Sequence, residues 1–173
     1  MKISTFALIG AAVLAGSAAL AQPDETADVL YVREAMQAHV NPAIVEIWDV
    51  GNNAMNEEGG IDPALMDEAR WSALANAAGK LEQAGRKMAA AQTLRAARED
   101  NWATDEFEVS MDQVQAALNA DPESFRRLAA DFAEHNATLK AAAETQDAAA
   151  AGTLVAQMDA ECATCHAQYW YAE

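Results

Sequence analysis

The chain has 173 residues, and its 27 acidic against 11 basic side chains give a formal net charge of −16 at pH 7. The negative electrostatic field of such a chain disfavours binding to nucleic acid or to anionic membranes and attracts basic partners. The same charge also keeps a protein soluble, so both roles stay open.

The first stretch of the chain is typical of a secretory signal peptide. Lys2 gives it a positive start, an apolar run covers residues 6–20, and Ala19-Leu20-Ala21 is a small-x-small cleavage site. The apolar run is too short to span a bilayer, and nothing later is apolar enough to replace it. The sequence therefore predicts a signal peptide over residues 1–21 and one mature domain over residues 22–173, and retention of the segment as an anchor is the alternative.

The elements predicted for the first half of the mature chain are two helices. Apolar residues at spacings of three and four predict a first helix from Thr26 to about Val50, with a kink or restart at Asn41-Pro42. The predicted apolar stripe of this helix consists of Val29, Val32, Met36, Val40, Ala43 and Ile47. The composition of residues 51–60 is typical of a loop. Asp62-Pro63 is expected to begin a second helix that extends as far as Arg98.

The second half continues the same pattern. Ser110 and Gln113 form a capping-box pattern before a short helix, and Asp121-Pro122 begins a third long helix. A turn at residues 145–147 precedes the last helix, and no segment alternates with the period-two pattern of a strand. Four amphipathic helices with fairly short connections predict an all-α, antiparallel four-helix bundle, a scaffold that holds cofactors between facing helices.

The last helix carries Cys162-Ala163-Thr164-Cys165-His166. Positions i, i+3 and i+4 share one face of a helix, so both thiols and the imidazole project to the same side. C-x-x-C-H is the signature of c-type haem attachment, with two thioether bonds and an iron-ligating histidine. No βαβ pattern favours a redox dithiol, and two cysteines are too few for a structural zinc site. The sequence predicts one covalent haem c on Cys162 and Cys165, with His166 as the proximal iron ligand.

A C-x-x-C-H motif on the final helix of a small exported bundle resembles the class II c-type cytochromes, which comprise cytochrome c-prime and its low-spin relatives. In class I cytochromes the motif lies near the N-terminus. The resemblance covers nearly the whole mature chain and depends on the motif, on Tyr169 and on residues 31–36. It implies that Met36 occupies the distal position. A methionine there is compatible with iron ligation and with a group that only crowds the distal side.

Two positions depart from the family's pattern. Trp170 stands where the family usually has a basic residue, four places after the haem histidine, and this disfavours the gas-binding members. The first-helix arginine commonly lies four residues before the distal position, whereas Arg33 lies three before Met36. The resemblance implies a contact between Arg33 and a haem propionate. The segment 99–120 is longer than the family's usual connection, and the resemblance assigns it no purpose.

Other side chains offer alternatives to this ligand set. His39 lies three residues after Met36 and could give bis-histidine ligation. His135 is interpreted as structural, and Met158 is expected to pack against the porphyrin edge. The four tryptophans are interpreted as packing or lid residues.

The first functional hypothesis is one-electron transfer by a periplasmic cytochrome, because haem attachment and a cleaved signal together indicate export. Its expected partners are redox proteins of basic charge and a second copy of the chain, and no enzymatic activity is expected. The second hypothesis is a cytochrome c-prime-like protein that binds nitric oxide or carbon monoxide, with His166 alone on the iron. Peroxide reduction is a third, and it lacks a distal acid–base group unless His39 serves as one.

Overall fold

The computed structural model describes residues 29–106 and 108–170. The predicted signal peptide, its cleavage site and the first residues of the predicted first helix lie outside this range, so the proposed boundary at residue 21 stays a prediction. None of the helices within the range is long and apolar enough to cross a membrane.

The described part of the chain is mostly helical. In chain order its helices are α1 (Val32–Ala35), a π-helical turn (Met36–Val40), α2 (Asn41–Asn53), α3 (Glu68–Ala90), α4 (Met111–Ala120), α5 (Pro122–Glu144) and α6 (Ala148–Tyr169). Two short strands, β1 (Val29–Tyr31) and β2 (Thr93–Arg95), and two 3-10 turns, Pro63–Leu65 and Glu99–Asn101, complete it. The backbone is helical through both ends of the π turn, so residues 32–53 form one continuous first helix.

The predicted all-α four-helix bundle is confirmed. Its members are the first helix, α3, α5 and α6, and the short α4 packs against α5 and α6. The most extensive contact is between α3 and α5, while α2 packs on α3 and α6 packs on α5 and α2. The largest fully buried side chains come from all of these helices and include Ile47, Leu74, Leu81, Met111, Leu118, Phe125, Leu139 and Met158.

The close approach of α3 and α5 depends on a missing side chain. A Cβ added at Gly85 would lie 2.9 Å from the carbonyl oxygen of Ala129 and 2.9 Å from Cβ of Ala133. Both distances are shorter than a carbon atom tolerates, so the two backbones meet here without a side-chain layer between them. Gly79 has no such role, because its nearest neighbour would be Cδ of Lys140 at 3.6 Å.

Three predicted helix starts are confirmed by their caps. Ser110 and Gln113 form the reciprocal capping box of α4. Asp121 accepts a hydrogen bond from the Ser124 amide at 2.9 Å at the start of α5, and Asp147 caps α6 in the same way. These side chains satisfy backbone donors that have no partner inside the helix.

The second helix differs from its prediction at both ends. Asp62 caps only the 3-10 turn, and α3 begins at Glu68 because Asp67 accepts from the Arg70 amide at 2.8 Å. Two capping aspartates lie five residues apart, and the sequence pattern alone did not separate their roles. The helix ends at Ala90, well before Arg98, because the next residues become extended and enter β2.

Two expectations about the first helix and its surroundings were wrong. The helix extends through Asn53, so Gly51 lies inside it and not in the loop. No strand was expected, yet β1 and β2 pair in parallel, with Val29 opposite Thr93 and Tyr31 opposite Arg95. Three-residue strands are too short to show an alternating pattern, and their pairing joins distant parts of the chain.

Candidate functional site

The C-x-x-C-H motif faces a cavity inside the bundle. Cys162, Cys165 and His166 line this cavity, whose volume is about 270 Å³. This is close to the lower end of the range for small-molecule sites, roughly 300–1,000 Å³. All four bundle helices contribute to its walls, and the other lining residues are Met36, Val40, Asn41, Ile44, Trp48, Met88, Phe125, Leu128, Ala129, Phe132, Asp159 and Glu161.

Burial sets the protonation of the three motif side chains. It raises the pKa of the Cys165 thiol to about 11, and the neighbouring Cys162 adds to the effect. Burial also raises the pKa of Cys162, and the negative charges of Asp159 and Glu161 raise it further. A reactive C-x-x-C dithiol shows the opposite shift. Burial lowers the pKa of His166, which favours the neutral imidazole that ligates metals.

The C-terminal end of α6 is fixed to the start of α5. The Tyr169 hydroxyl donates a hydrogen bond to the carbonyl oxygen of Asp121 at 2.7 Å, and its ring packs edge-on against Phe125 with centroids 5.4 Å apart. The Ser124 hydroxyl donates to Oε1 of Gln168 at 3.2 Å. Because Phe125 also lines the cavity, these contacts hold the motif in position against the cavity wall.

Met36 reaches the same cavity from the first helix. It begins the π turn, in which the Asn41 amide donates to the Met36 carbonyl, and Pro42 follows at once. Proline has no N–H to offer the carbonyl four residues earlier, so the predicted interruption at Asn41-Pro42 takes the form of an i→i+5 turn. Turns of this kind occur frequently at functional sites.

The π turn also explains two cavity residues that the sequence pattern missed. The predicted apolar stripe continued from Val40 to Ala43 and Ile47, which are buried in the core. The cavity is instead lined by Ile44 and Trp48. A π turn contains more residues than an α-helical turn. Near it, residues four positions apart therefore stay on the same face of the helix. The available signal was a run of apolar residues at intervals of four on both sides of a proline: Met36, Val40, Ile44 and Trp48.

The alternative ligand His39 and two other side chains singled out in the sequence do not line the cavity. His39 is exposed and is absent from the cavity lining. Nε2 of His135 lies 3.0 Å from the carbonyl oxygen of Leu154, so it joins α5 to α6, in agreement with its structural interpretation. Met158 is fully buried in the core and does not line the cavity.

Arg33 is engaged away from the cavity. Its guanidinium donates hydrogen bonds to the carbonyl oxygens of Asn101 at 3.1 Å and Ala103 at 2.7 Å. A third contact joins it to the Glu108 carboxylate at 3.5 Å. The contact between Arg33 and a haem propionate stays a prediction, and the structure does not place Arg33 among the cavity residues.

The residues around the cavity fit a haem group. Its walls are mostly apolar, and they include two cysteines and a histidine from α6 and a methionine from the first helix. Across residues 29–106 and 108–170, no group of three or more His, Cys, Asp or Glu side chains is arranged to hold a bare metal ion. A haem iron needs fewer protein ligands than a bare metal ion, because the porphyrin supplies the remaining iron ligands.

Comparison with known protein families gives an independent assignment. The family model described as Cytochrome C' matches residues 63–170, more than half of the chain. The matched region contains α3, α4, α5 and the motif-bearing α6, and it begins after the first helix. Searches of curated proteins and of solved structures gave no match. The chain therefore belongs to the cytochrome c' family and is a haem-binding c-type cytochrome.

Proposed function

We propose that this protein is a periplasmic carrier of single electrons. One haem c would be bound through thioether bonds to Cys162 and Cys165, with His166 and Met36 as the two axial ligands. The observation that carries the proposal is that Met36 lines the same cavity as the three motif side chains. The bound haem supplies an iron that alternates between the ferrous and ferric states.

The chain's own residues favour this role over an open distal side. A histidine–methionine ligand pair raises the reduction potential, and an apolar cavity disfavours the extra charge of the ferric state. Trp170 lies beside His166, with ring centroids 6.4 Å apart, where the family usually has a basic residue. The proximal cation often found in gas-binding members is therefore replaced by an aromatic ring.

Location and partners are part of the same proposal. The signal-like residues 1–21 support export, and haem attachment after export supports a periplasmic location. Asp159 and Glu161 line the cavity, and the chain as a whole is strongly acidic, which supports a basic redox partner. We propose electron transfer without catalysis, with no nucleic-acid partner, and with self-association as a further interaction.

The visible spectrum of the holoprotein tests the axial ligands. We expect the narrow low-spin bands of six-coordinate iron in the reduced protein, and carbon monoxide should change them only slowly, because it must first displace Met36. Met36→Ala should give a high-spin spectrum that shifts with carbon monoxide, because the distal position opens. Met55→Ala removes a methionine that is 51% exposed and does not line the cavity, so it should behave like the parent protein.

A high-spin parent spectrum that shifts with carbon monoxide would overturn electron transfer through a six-coordinate iron. It would instead support the gas-binding alternative, in which Met36 only crowds the distal side. A low-spin spectrum that Met36→Ala leaves unchanged would show that another residue is the sixth ligand.

A further inference from the structure

A segment between α3 and α4 lies against the start of the first helix, and its residues 99–103 belong to the stretch 99–120 to which the family resemblance assigns no purpose. We define residues 93–103 as the clasp. Its first three residues, β2, pair in parallel with β1. The Arg33 amide then donates to the carbonyl oxygen of Ala96 at 2.9 Å, which continues the backbone pairing into α1. The clasp therefore holds the backbone directly before Met36.

Side chains strengthen this attachment. Oε1 of Glu34 accepts hydrogen bonds from the Arg98 amide at 2.9 Å and from Nδ2 of Asn101 at 3.2 Å. Nδ2 of Asn101 also donates to Oε1 of Gln37 at 2.9 Å. The Arg98 guanidinium lies 4.3 Å from the centre of the Tyr31 ring, in a cation–π contact. The clasp thus contacts residues on both sides of Met36, and none of these residues lines the cavity.

The first part of the clasp is also fixed to the helical bundle. Oε1 of Gln115, in α4, accepts from the Ala96 amide at 2.9 Å, and its Nε2 donates to the carbonyl oxygen of Leu94 at 3.3 Å. Helix α4 packs in turn against α6, which carries His166. A continuous set of contacts therefore joins the backbone before Met36 to the helix that bears the proximal histidine.

The start of the first helix needs such support. Helix α1 has four residues and runs into a π turn of five. This N-terminal part of the continuous first helix contains the π turn, which lacks the regular hydrogen bonds of an α-helix, so its conformation depends on tertiary contacts. Contacts from the clasp are among those that reach this end of the helix, whereas α2 is held by its packing on α3.

We propose that the clasp positions Met36 over the haem cavity, and that Glu34 and Asn101 are positioning residues for the distal side of the iron. The inference deepens the proposed function, since it concerns how the distal residue is held. It gives a purpose to the first part of the long connection between α3 and α5. Loosening the clasp should expose the iron to external ligands while the bundle stays folded.

The experiment compares four variants of the full-length holoprotein. Glu34→Ala and Asn101→Ala remove clasp hydrogen bonds without touching Arg33 or the cavity. Glu34→Gln is the conservative counterpart, because its amide oxygen keeps the acceptor for Arg98 and Asn101. Asn76→Ala is the matched control, since Asn76 is exposed on α3 and donates only a weak bond to Ser72 at 3.4 Å.

Two quantities are measured for each variant: the rate of carbon monoxide binding to the reduced protein, and hydrogen exchange in peptides covering residues 32–40. We expect Asn101→Ala and Glu34→Ala to bind carbon monoxide about tenfold faster, the order expected for the loss of two hydrogen bonds. Exchange should rise in residues 32–40 and stay unchanged in α5. Glu34→Gln and Asn76→Ala should match the parent.

The outcomes separate this inference from the proposed function. If the parent is low-spin and the two disruptive variants leave the carbon monoxide rate and the exchange unchanged, the clasp inference is wrong and the ligand assignment stands. If the parent is already high-spin, the ligand assignment is wrong. In that case the affinity for carbon monoxide tests the clasp inference. The affinity should still change in Asn101→Ala, because Met36 crowds the distal side. An unchanged affinity would overturn the clasp inference.

Discussion

On one side of the haem cavity, Cys162, Cys165 and His166 lie within five consecutive residues of one regular helix. On the other side, Met36 lies on a π turn, and the neighbouring Glu34 is bound by Arg98 and Asn101, which lie 64 and 67 positions after it in the chain. The proximal side is a local property of the sequence, since helix geometry alone puts its three side chains on one face. The distal side is a property of the tertiary structure, and so it can be altered without touching the cavity.

Mutations on the two sides of the cavity should have different effects. A change that spares the motif should leave haem attachment intact, whatever it does to the distal side. A change in the clasp or the π turn should alter the spin state and the access of external ligands while the haem stays bound. Four expected effects test this difference, beginning with the largest.

Replacement of both thiols should abolish covalent haem. For Cys162→Ala combined with Cys165→Ala we expect complete loss, because no other cysteine is present in the chain. Mass spectrometry of the exported protein under denaturing conditions should give the mass of residues 22–173 alone, and the mass of the same residues plus one haem for the parent. Ala163→Ser, at an exposed position within the motif, is the matched control. Retention of haem by the double variant would contradict the assignment of the proximal side.

Replacement of Pro42 should loosen the distal side. Pro42→Ala restores an N–H that can bond to the carbonyl of Ala38, so the π turn can become an ordinary α turn. Met36 would then rotate away from the cavity, and we expect carbon monoxide to bind about fivefold faster, the order of one lost interaction. The control is Pro63→Ala, since Pro63 is exposed and begins a 3-10 turn. An unchanged rate would show that the clasp, and not the proline, maintains the π turn.

Removal of the Tyr169 hydroxyl should weaken the proximal side slightly. Tyr169→Phe keeps the ring against Phe125 and loses the hydrogen bond to Asp121, which should lower the free energy of unfolding by about 1 kcal/mol. Urea unfolding followed by circular dichroism measures this loss. Tyr31→Phe, which keeps its ring beneath Arg98, is the control.

The same variant should change the response to alkali. Burial raises the pKa of Tyr169, so the folded state favours the protonated phenol. The resulting contribution to stability is fully present below the unfolded-state pKa of about 10 and is lost as the pH rises through the raised folded-state value. The gap in stability between the parent and Tyr169→Phe should therefore narrow above about pH 10. A gap that stays constant would show that the phenol makes no such contribution.

The sequence was sufficient for the features that are encoded locally. The C-x-x-C-H motif, the capping box at Ser110 and the caps at Asp121 and Asp147 each depend on residues within one or two helical turns, and the structure bears out the caps. The all-α bundle follows from the periodicity of its long helices.

The missed features depend on pairs of distant segments. The pairing of β1 with β2 leaves no local pattern in strands of three residues. The long connection between α3 and α5 had no assigned purpose, because its contacts with Glu34 and Gln37 join residues that no periodicity relates. The cavity-facing positions Ile44 and Trp48 were missed because the π turn changes which residues share a face.

The parallel pairing of β1 with β2 also affects how the chain folds. A parallel pair requires a long crossing connection, and here that connection includes the first helix and the whole of α3. Closing so long a loop costs more conformational entropy than closing the turn at residues 145–147, which brings α6 back onto α5. Contacts of such long range are the ones associated with slow folding. Assembly of the cavity therefore requires two kinds of contact: the local packing of α6 on α5, and the pairing of β1 with β2 between remote parts of the chain. The second contact has the higher cost in conformational entropy.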